Sequence, residues 1–342
     1  GYAAYLQGDL DAAEVEFIGY LSAAERLTEL DPDNPVYQQE LSFAHGNLGS
    51  VNEQRGNLDG AATAYERSLT LERGFIGDST DVDQLGELAE THNKLAVVYR
   101  RRGDFDDALE HHGQELALKR RLLSIEPGHS YWTYRLAAAL GFAARVRDMT
   151  GALDQGEPLR EEQIAIMQAL VDSDPNNLDR VRELAMAWMN RSTADLLRGD
   201  LAGARASVAV AERDLVSLME ADQRLAPRYD LARLHTVVAR LHLNLGDAGA
   251  ALSRANDAFT LLPDEAPRTA DWRDTVVRAR IVSGRALSAV GRGQEARQEW
   301  EAALALVEGQ LEWFEYRPLR ADPKDEKIHV CNEAFPPQTE LG

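Results

Sequence analysis

The chain has 342 residues, 44% of them apolar, and a formal net charge of −20. The apolar share is ordinary for a folded protein, no apolar run reaches the roughly 18 residues of a membrane span, and so acidic a surface repels phosphates, which excludes nucleic-acid binding over a broad face. Of the 37 basic residues only four are Lys (Lys94, Lys119, Lys324, Lys327), and the single cysteine, Cys331, permits neither an intrachain disulfide nor a cysteine metal cluster.

From the first residues onward a ladder of glycines punctuates the chain: Gly8, Gly56, Gly103, Gly151, Gly199, Gly246 and Gly291. Most are followed by Asp or another small polar residue, as in Gly-Asp-Leu-Asp and Gly-Asn-Leu-Asp. Such a run reads as a helix stop, a tight turn and the N-cap of the next helix. Five residues after each rung stand Ala13, Ala61, Ala108, Gly156, Ala204, Ala251 and Ala296; seven before stand Gly1, Gly49, Ala96, Ala144, Ser192, Ala239 and Gly284. All are small, as facing columns of a close-packed helix hairpin must be.

Between rungs the pattern is helical. First helices are expected to open on acids (Glu40, Glu87, Glu183, Asp230) that complement the helix dipole. Second helices are expected to stop at Asp31-Pro32, Glu126-Pro127 and Asp174-Pro175, because proline bars continuation. The spacing predicts repeats over about 1–32, 33–80, 81–127, 128–175, 176–223, 224–267 and 268–316. Gly1 falls in mid-helix, so the first repeat reads as half a hairpin. Residues 317–342 hold Pro318, Pro323, Pro336 and Pro337 and no helical period, and read as an extended tail.

At these positions the chain resembles the tetratricopeptide repeat family, whose repeats carry a large residue, Leu-Gly or similar, a turn glycine, an Ala, an aromatic and a closing Pro. Leu48-Gly49, Gly56, Ala61 and Tyr65 follow that pattern, as do Leu95-Ala96, Tyr99, Gly103 and Ala108, and Gly291, Ala296 and Trp300; Gly156, Arg160 and His112 depart from it. The period exceeds the family's usual 34 residues, and the surplus is assigned largely to second helices such as 106–124, about 30 Å long at 1.5 Å per residue. This resembles the long-helix variant of kinesin-light-chain-like and bacterial regulatory arrays. The resemblance implies an all-α, right-handed superhelical solenoid of helix-turn-helix hairpins, about 6.5 repeats over 1–316, with no catalytic machinery of its own. It also implies a concave groove lined by the first helices.

Two columns on the first helices lie seven residues apart, nearly two turns, and so share a side. They read Phe43, Glu90, Ala138, Met186, Arg233, Arg278 and Ser50, Val97, Arg145, Thr193, Arg240, Arg285. Arg233, Arg240, Arg278 and Arg285, with Arg145 farther along, are the candidate partner-binding groove for an acidic segment or a C-terminal carboxylate, where Arg binds bidentately. The other reading of the same arginines is pairing with acids of neighbouring helices. A secondary candidate is Asn47, Asn93, Lys94, Arg100 and Arg101, similar to the carboxylate clamp of chaperone-binding relatives but differently spaced.

The histidines do not assemble ligand spacing. His111 and His112 are adjacent on a helix and diverge by about 100°, while His45, His92 and His235 fall in a packing column. Phosphate loops, dinucleotide fingerprints and nucleophile elbows are absent from the sequence. Neither a metal nor a cofactor is expected, nor an enzyme activity, and carboxylates in such helices are usually a solvated face. The expected role is a cytoplasmic, bacterial, protein- or peptide-binding scaffold or sensor, part of a larger regulatory protein, whose partner is another protein, a peptide, or a domain or tail of its own full-length chain. The alternatives are a small-peptide-sensing regulator and the accessory module of an enzyme whose catalytic domain lies elsewhere. Residues 324–333, with Asp325, Glu326 and Glu333, would suit an arginine-lined groove as an internal occupant.

Overall fold

The computed structural model describes residues 1–77, 79–221, 225–262, 270–307, 319–321 and 328–330. Two compact units divide the chain, Gly1–Thr150 and Gly151–Gly342. The first contains α1 (Tyr2–Leu6), α2 (Leu10–Leu30), α3 (Pro35–Gln54), α4 (Leu58–Ile76), α5 (Val82–Arg102), α6 (Phe105–Ile125) and α7 (Ser130–Met149). The second contains α8 (Leu153–Ser173), α9 (Leu178–Arg198), α10 (Leu201–Ala221), α11 (Leu225–Asn244), α12 (Ala248–Thr260), α13 (Ala270–Ala289) and α14 (Gly293–Val307). Two three-residue strands, β1 (Leu319–Ala321) and β2 (Ile328–Val330), pair antiparallel within the stretch expected to be extended. Among the described residues no helix is long and apolar enough to cross a membrane.

All seven ladder glycines have φ between 77° and 89°, the left-handed region that a Cβ disfavours. After Gly56, Gly199 and Gly246 the next residue performs two jobs. Its N–H reaches back five residues, as from Asn57 to the Asn52 carbonyl (2.9 Å), Asp200 to Asp195 (2.9 Å) and Asp247 to His242 (2.9 Å), which closes the left-handed helix stop. Its side chain then caps the next helix: Asn57 accepts from the N–H of Gly60, Asp200 from Gly203 and Asp247 from Ala250. At these three turns one Gly-Asp or Gly-Asn pair thus ends one helix and starts another.

The proline stops also form as expected. Asp31, Glu126 and Asp174 each precede a proline and leave the helical region, with ψ of 87°, 79° and 80°, because the proline ring crowds an α-conformed predecessor.

Where the extra length goes differs from expectation. First helices are as long as second helices through α10, 20 or 21 residues against 19 to 21. The last two second helices, α12 and α14, have only 13 and 15 residues. First helices begin a turn and a half before the acids taken as their starts: Glu40, Glu87, Glu183 and Asp230 are each the sixth residue. These carboxylates sit beyond the first turn, where the dipole acts, and bond sideways instead. Glu40 accepts from Tyr20 (2.5 Å) and Glu87 from Gln39 (3.1 Å).

In each unit consecutive helices pack against one another, and the small columns are buried between them. Ala13, Ala61, Ala108, Ala204, Ala251 and Ala296 are fully buried, as are Ala96, Ser192 and Ala239. The glycines in the earlier column have a steric reason. A Cβ on Gly49 would lie 2.5 Å from the Tyr65 ring, one on Gly1 would lie 2.5 Å from Phe17, and one on Gly284 would strike Trp300. Where the residue sixteen positions on is smaller, the column admits Ala or Ser, as in Ala239 with Ala255 and Ser192 with Val208. Larger side chains complete the cores: Leu85, Leu95, Leu122 and Trp132 in the first unit, Leu215, Leu234 and Leu241 in the second.

Candidate functional site

In the second unit α11 packs against both α9 and α13, so three first helices present their columns side by side. An ionic ladder crosses them. Arg182 on α9 donates from Nε to Asp230 Oδ2 on α11 (2.5 Å). Arg233, one turn along α11, lies 3.7 Å from the other Asp230 oxygen and 3.6 Å from Asp274 on α13, and its Nε donates to Thr275 (3.2 Å). Arg278 donates to the same Asp274 oxygen at 2.8 Å. Residues 48 positions apart in sequence are therefore in direct contact.

The acid-pairing reading of these arginines is what the contacts of Arg233 and Arg278 show. Arg233 and Arg278 are paired with acids of their own and the neighbouring first helix. Asp230 is 1% exposed, a burial that a carboxylate tolerates only when paired. Arg240 and Arg285 lie two turns farther along the same helices and are half-buried; burial pushes the Arg285 guanidinium below its ordinary value. Arg145 belongs to the first unit, on α7, where its guanidinium stacks 4.8 Å from the centre of the Phe142 ring. Residues 324–327 and 331–333, the internal occupant considered above, lie outside the described residues.

The secondary candidate divides. Asn47 and Lys94 line a groove of about 490 Å³ between α3, α4, α5 and the start of α7, with Phe43, Glu72, Asp83, Glu87, Glu90 and Trp132 among its other walls. Asn93, Arg100 and Arg101 are not in that lining. Arg101 instead pairs with Glu53 at 3.1 Å. Lys94 directs its ammonium over the Tyr65 ring, 5.6 Å from the centroid.

The residue that sequence reading passed over here is Glu72. It is 3% exposed, and Oε1 accepts from Thr91 (2.9 Å), Ser42 (3.0 Å) and Ser68 (3.3 Å). Oε2 is buried and has no hydrogen-bond partner among the described residues. Burial pushes this carboxyl up to about 7 despite the three hydroxyls. Nearby, Glu90 is taken up by Arg135 and by Lys119 (3.6 Å). Burial raises the Glu87 carboxyl, and the charges of Asp83 and Asp81 raise it further while the Gln39 amide opposes them.

Histidines in the packing column are core residues: His45, His92 and His235 are at most 9% exposed. Burial lowers all three, His92 to about 4. His111 meets His92 Nδ1 to Nδ1 at 2.9 Å, whereas His112 turns to Glu115 on its own helix (3.0 Å). The adjacent pair diverges as their helical phase requires.

Comparison with known proteins agrees with the helical-repeat fold. Residues 91–126 match the family described as tetratricopeptide repeat. Among solved structures, the chain is similar to BtubC (BKLC) from P. vanneervenii, at 18% identity and a TM-score of 0.55 over 76% of this chain and 96% of that one. It is similar to a tetratricopeptide repeat protein from Parabacteroides merdae, at 16% identity and a TM-score of 0.52 over 91% of each chain. A third is Acl4, described as the assembly chaperone of RpL4, at 16% identity and a TM-score of 0.50 over 87% of this chain and 96% of that one. None of the curated proteins matches. The chain is an all-α helical-repeat protein with the fold of these tetratricopeptide solenoids, and its residues 91–126 match the tetratricopeptide repeat family.

Proposed function

We propose that this chain is a protein-binding scaffold, not an enzyme, and that the first-helix face of its second unit takes an acidic or carboxylate-bearing segment of a partner. The observation that carries the reading is the ladder from Arg182 through Asp230, Arg233 and Asp274 to Arg278. It joins three first helices, and Arg240 and Arg285 lie two turns farther along two of them. Asp230 and Asp274 hold guanidinium groups in fixed orientations, and a donor already oriented loses less side-chain freedom when a carboxylate arrives. The fold supports a binding role in general, since Acl4, which shares it, is an assembly chaperone of RpL4. A regulatory, cytoplasmic setting in a bacterium belongs to the same proposal and rests on composition: one cysteine, and Arg in place of Lys.

A peptide array tests it. Acidic peptides with a free C-terminus are compared with the same peptides amidated and with their Gln/Asn counterparts. Selective retention of the acidic, free-carboxylate set supports the reading. Equal retention of all three sets contradicts it.

A further inference from the structure

The groove of the first unit has a different chemistry from the arginine face of the second. From the structure we infer that it is a binding site for an alkylammonium or guanidinium group, presented by a lysine or arginine side chain of a peptide partner. The principal observation is Glu72. An almost wholly buried carboxylate is fixed through one oxygen by three hydroxyls, Thr91, Ser42 and Ser68. Its other oxygen is left without a hydrogen bond among the described residues, on a side chain that lines the groove. Buried polar atoms are almost always satisfied, so a carboxylate oxygen without a hydrogen bond, on a residue of the groove lining, marks a place for a donor.

The rest of the lining suits a cation on an apolar stem. Asp83 and Glu87 add negative charge, and their mutual repulsion is evident at Glu87. Glu90 adds none, because Arg135 and Lys119 neutralise it. Phe43, Tyr131 and Trp132 supply apolar and aromatic surface for the methylene stem and a ring face for the charge. The volume, about 490 Å³, exceeds that of a single side chain and leaves room for flanking backbone. A metal ion fits less well: among the described residues no three His, Cys, Asp or Glu side chains are grouped to hold one.

Lys94 is the one cationic side chain in the lining, and its ammonium sits over Tyr65. It opposes an incoming cation, so removing its charge should strengthen binding. This outcome separates a binding site from a buried acid with a purely structural role.

The test is a ligand-observed NMR titration of the full chain with a doubly capped lysine hexapeptide, its ε-acetyl-lysine counterpart and 1,6-diaminohexane. Wild type is expected to bind the lysine peptide and to bind the acetylated peptide roughly tenfold more weakly, the loss expected for a charge-assisted hydrogen bond. Glu72→Gln and, separately, Glu87→Gln should weaken the lysine peptide with helix content unchanged, and Lys94→Met should strengthen it several-fold. Equal binding of the acetylated peptide overturns the inference, as does an unchanged affinity in both glutamine variants. Binding of the diamine without the lysine peptide overturns the peptide as the source of the cation. Because this groove and the arginine face lie in different units, loss of one activity with retention of the other shows which of the two readings has failed.

Discussion

Tyr65 occupies the space that a Cβ on Gly49 would need: its ring carbons lie 2.5 and 2.6 Å from that position. The Tyr65 hydroxyl is tied to Glu53 (3.0 Å) and Ser50 (3.2 Å), so the ring cannot simply swing away. Gly49→Ala is expected to destabilise the chain by about 1–3 kcal/mol through overpacking. Combining it with Tyr65→Ala should cost less than the sum of the two single changes, because the clash disappears with the ring. Urea denaturation of the four proteins measures this, and strict additivity would show that the two residues do not share the space.

The fold was legible in the sequence because its rules are local. Gly56 followed by Asn57 announces a turn, and Asp174-Pro175 announces a helix end. The pairing of Gly49 with Tyr65 was less visible, since the column of small residues was apparent but the ring opposite was not yet placed. The starts of the first helices were misjudged because Glu87 and Asp230 looked like N-terminal acids. They are bonded to neighbouring helices through Gln39 and Arg182. The arginine columns were visible as a spacing of seven residues, but the pairing of Arg233 and Arg278 with acids was given only as the other reading. Their acid partners were present as Asp274 four residues before Arg278 and Asp230 three before Arg233. Glu72 offered no comparable pattern: it is one of many acids on a second helix, and its burial arises from Ser42 and Thr91 on two different helices.

Asp230 holds two arginines from two helices while 1% exposed. Asp230→Ala removes that counter-charge, but Arg182 and Arg233 stay partly exposed and keep Glu183 and Asp274, so the expected cost is about 1.5–3 kcal/mol. Asp274 is more exposed than Asp230, with 18% of its side chain accessible, so Asp274→Ala should cost distinctly less. Thermal or urea unfolding of the two variants ranks them, and the reverse order would show that the ladder is anchored at Asp274.

The Glu72 carboxyl is held at about 7 in the folded chain against an ordinary 4.5. A raised folded value means that folding favours the protonated form. The stabilisation from this group is therefore complete below about pH 4.5 and is lost as pH rises through 7. Glu72→Gln removes the titration, so the difference in urea midpoint between variant and wild type should change steadily between pH 5 and 8, in favour of the variant at the upper end. Parallel curves would mean that Glu72 is ionised throughout.

The binding account stands or falls on the charge of Arg240 and Arg285. Both are replaced by Glu, and wild type and double variant are titrated, by fluorescence anisotropy at low salt, with an acidic peptide bearing a free C-terminus. The account predicts at least a tenfold loss of affinity, equivalent to about 1.4 kcal/mol, with helical circular dichroism unchanged. Equal affinity in the two proteins would contradict it.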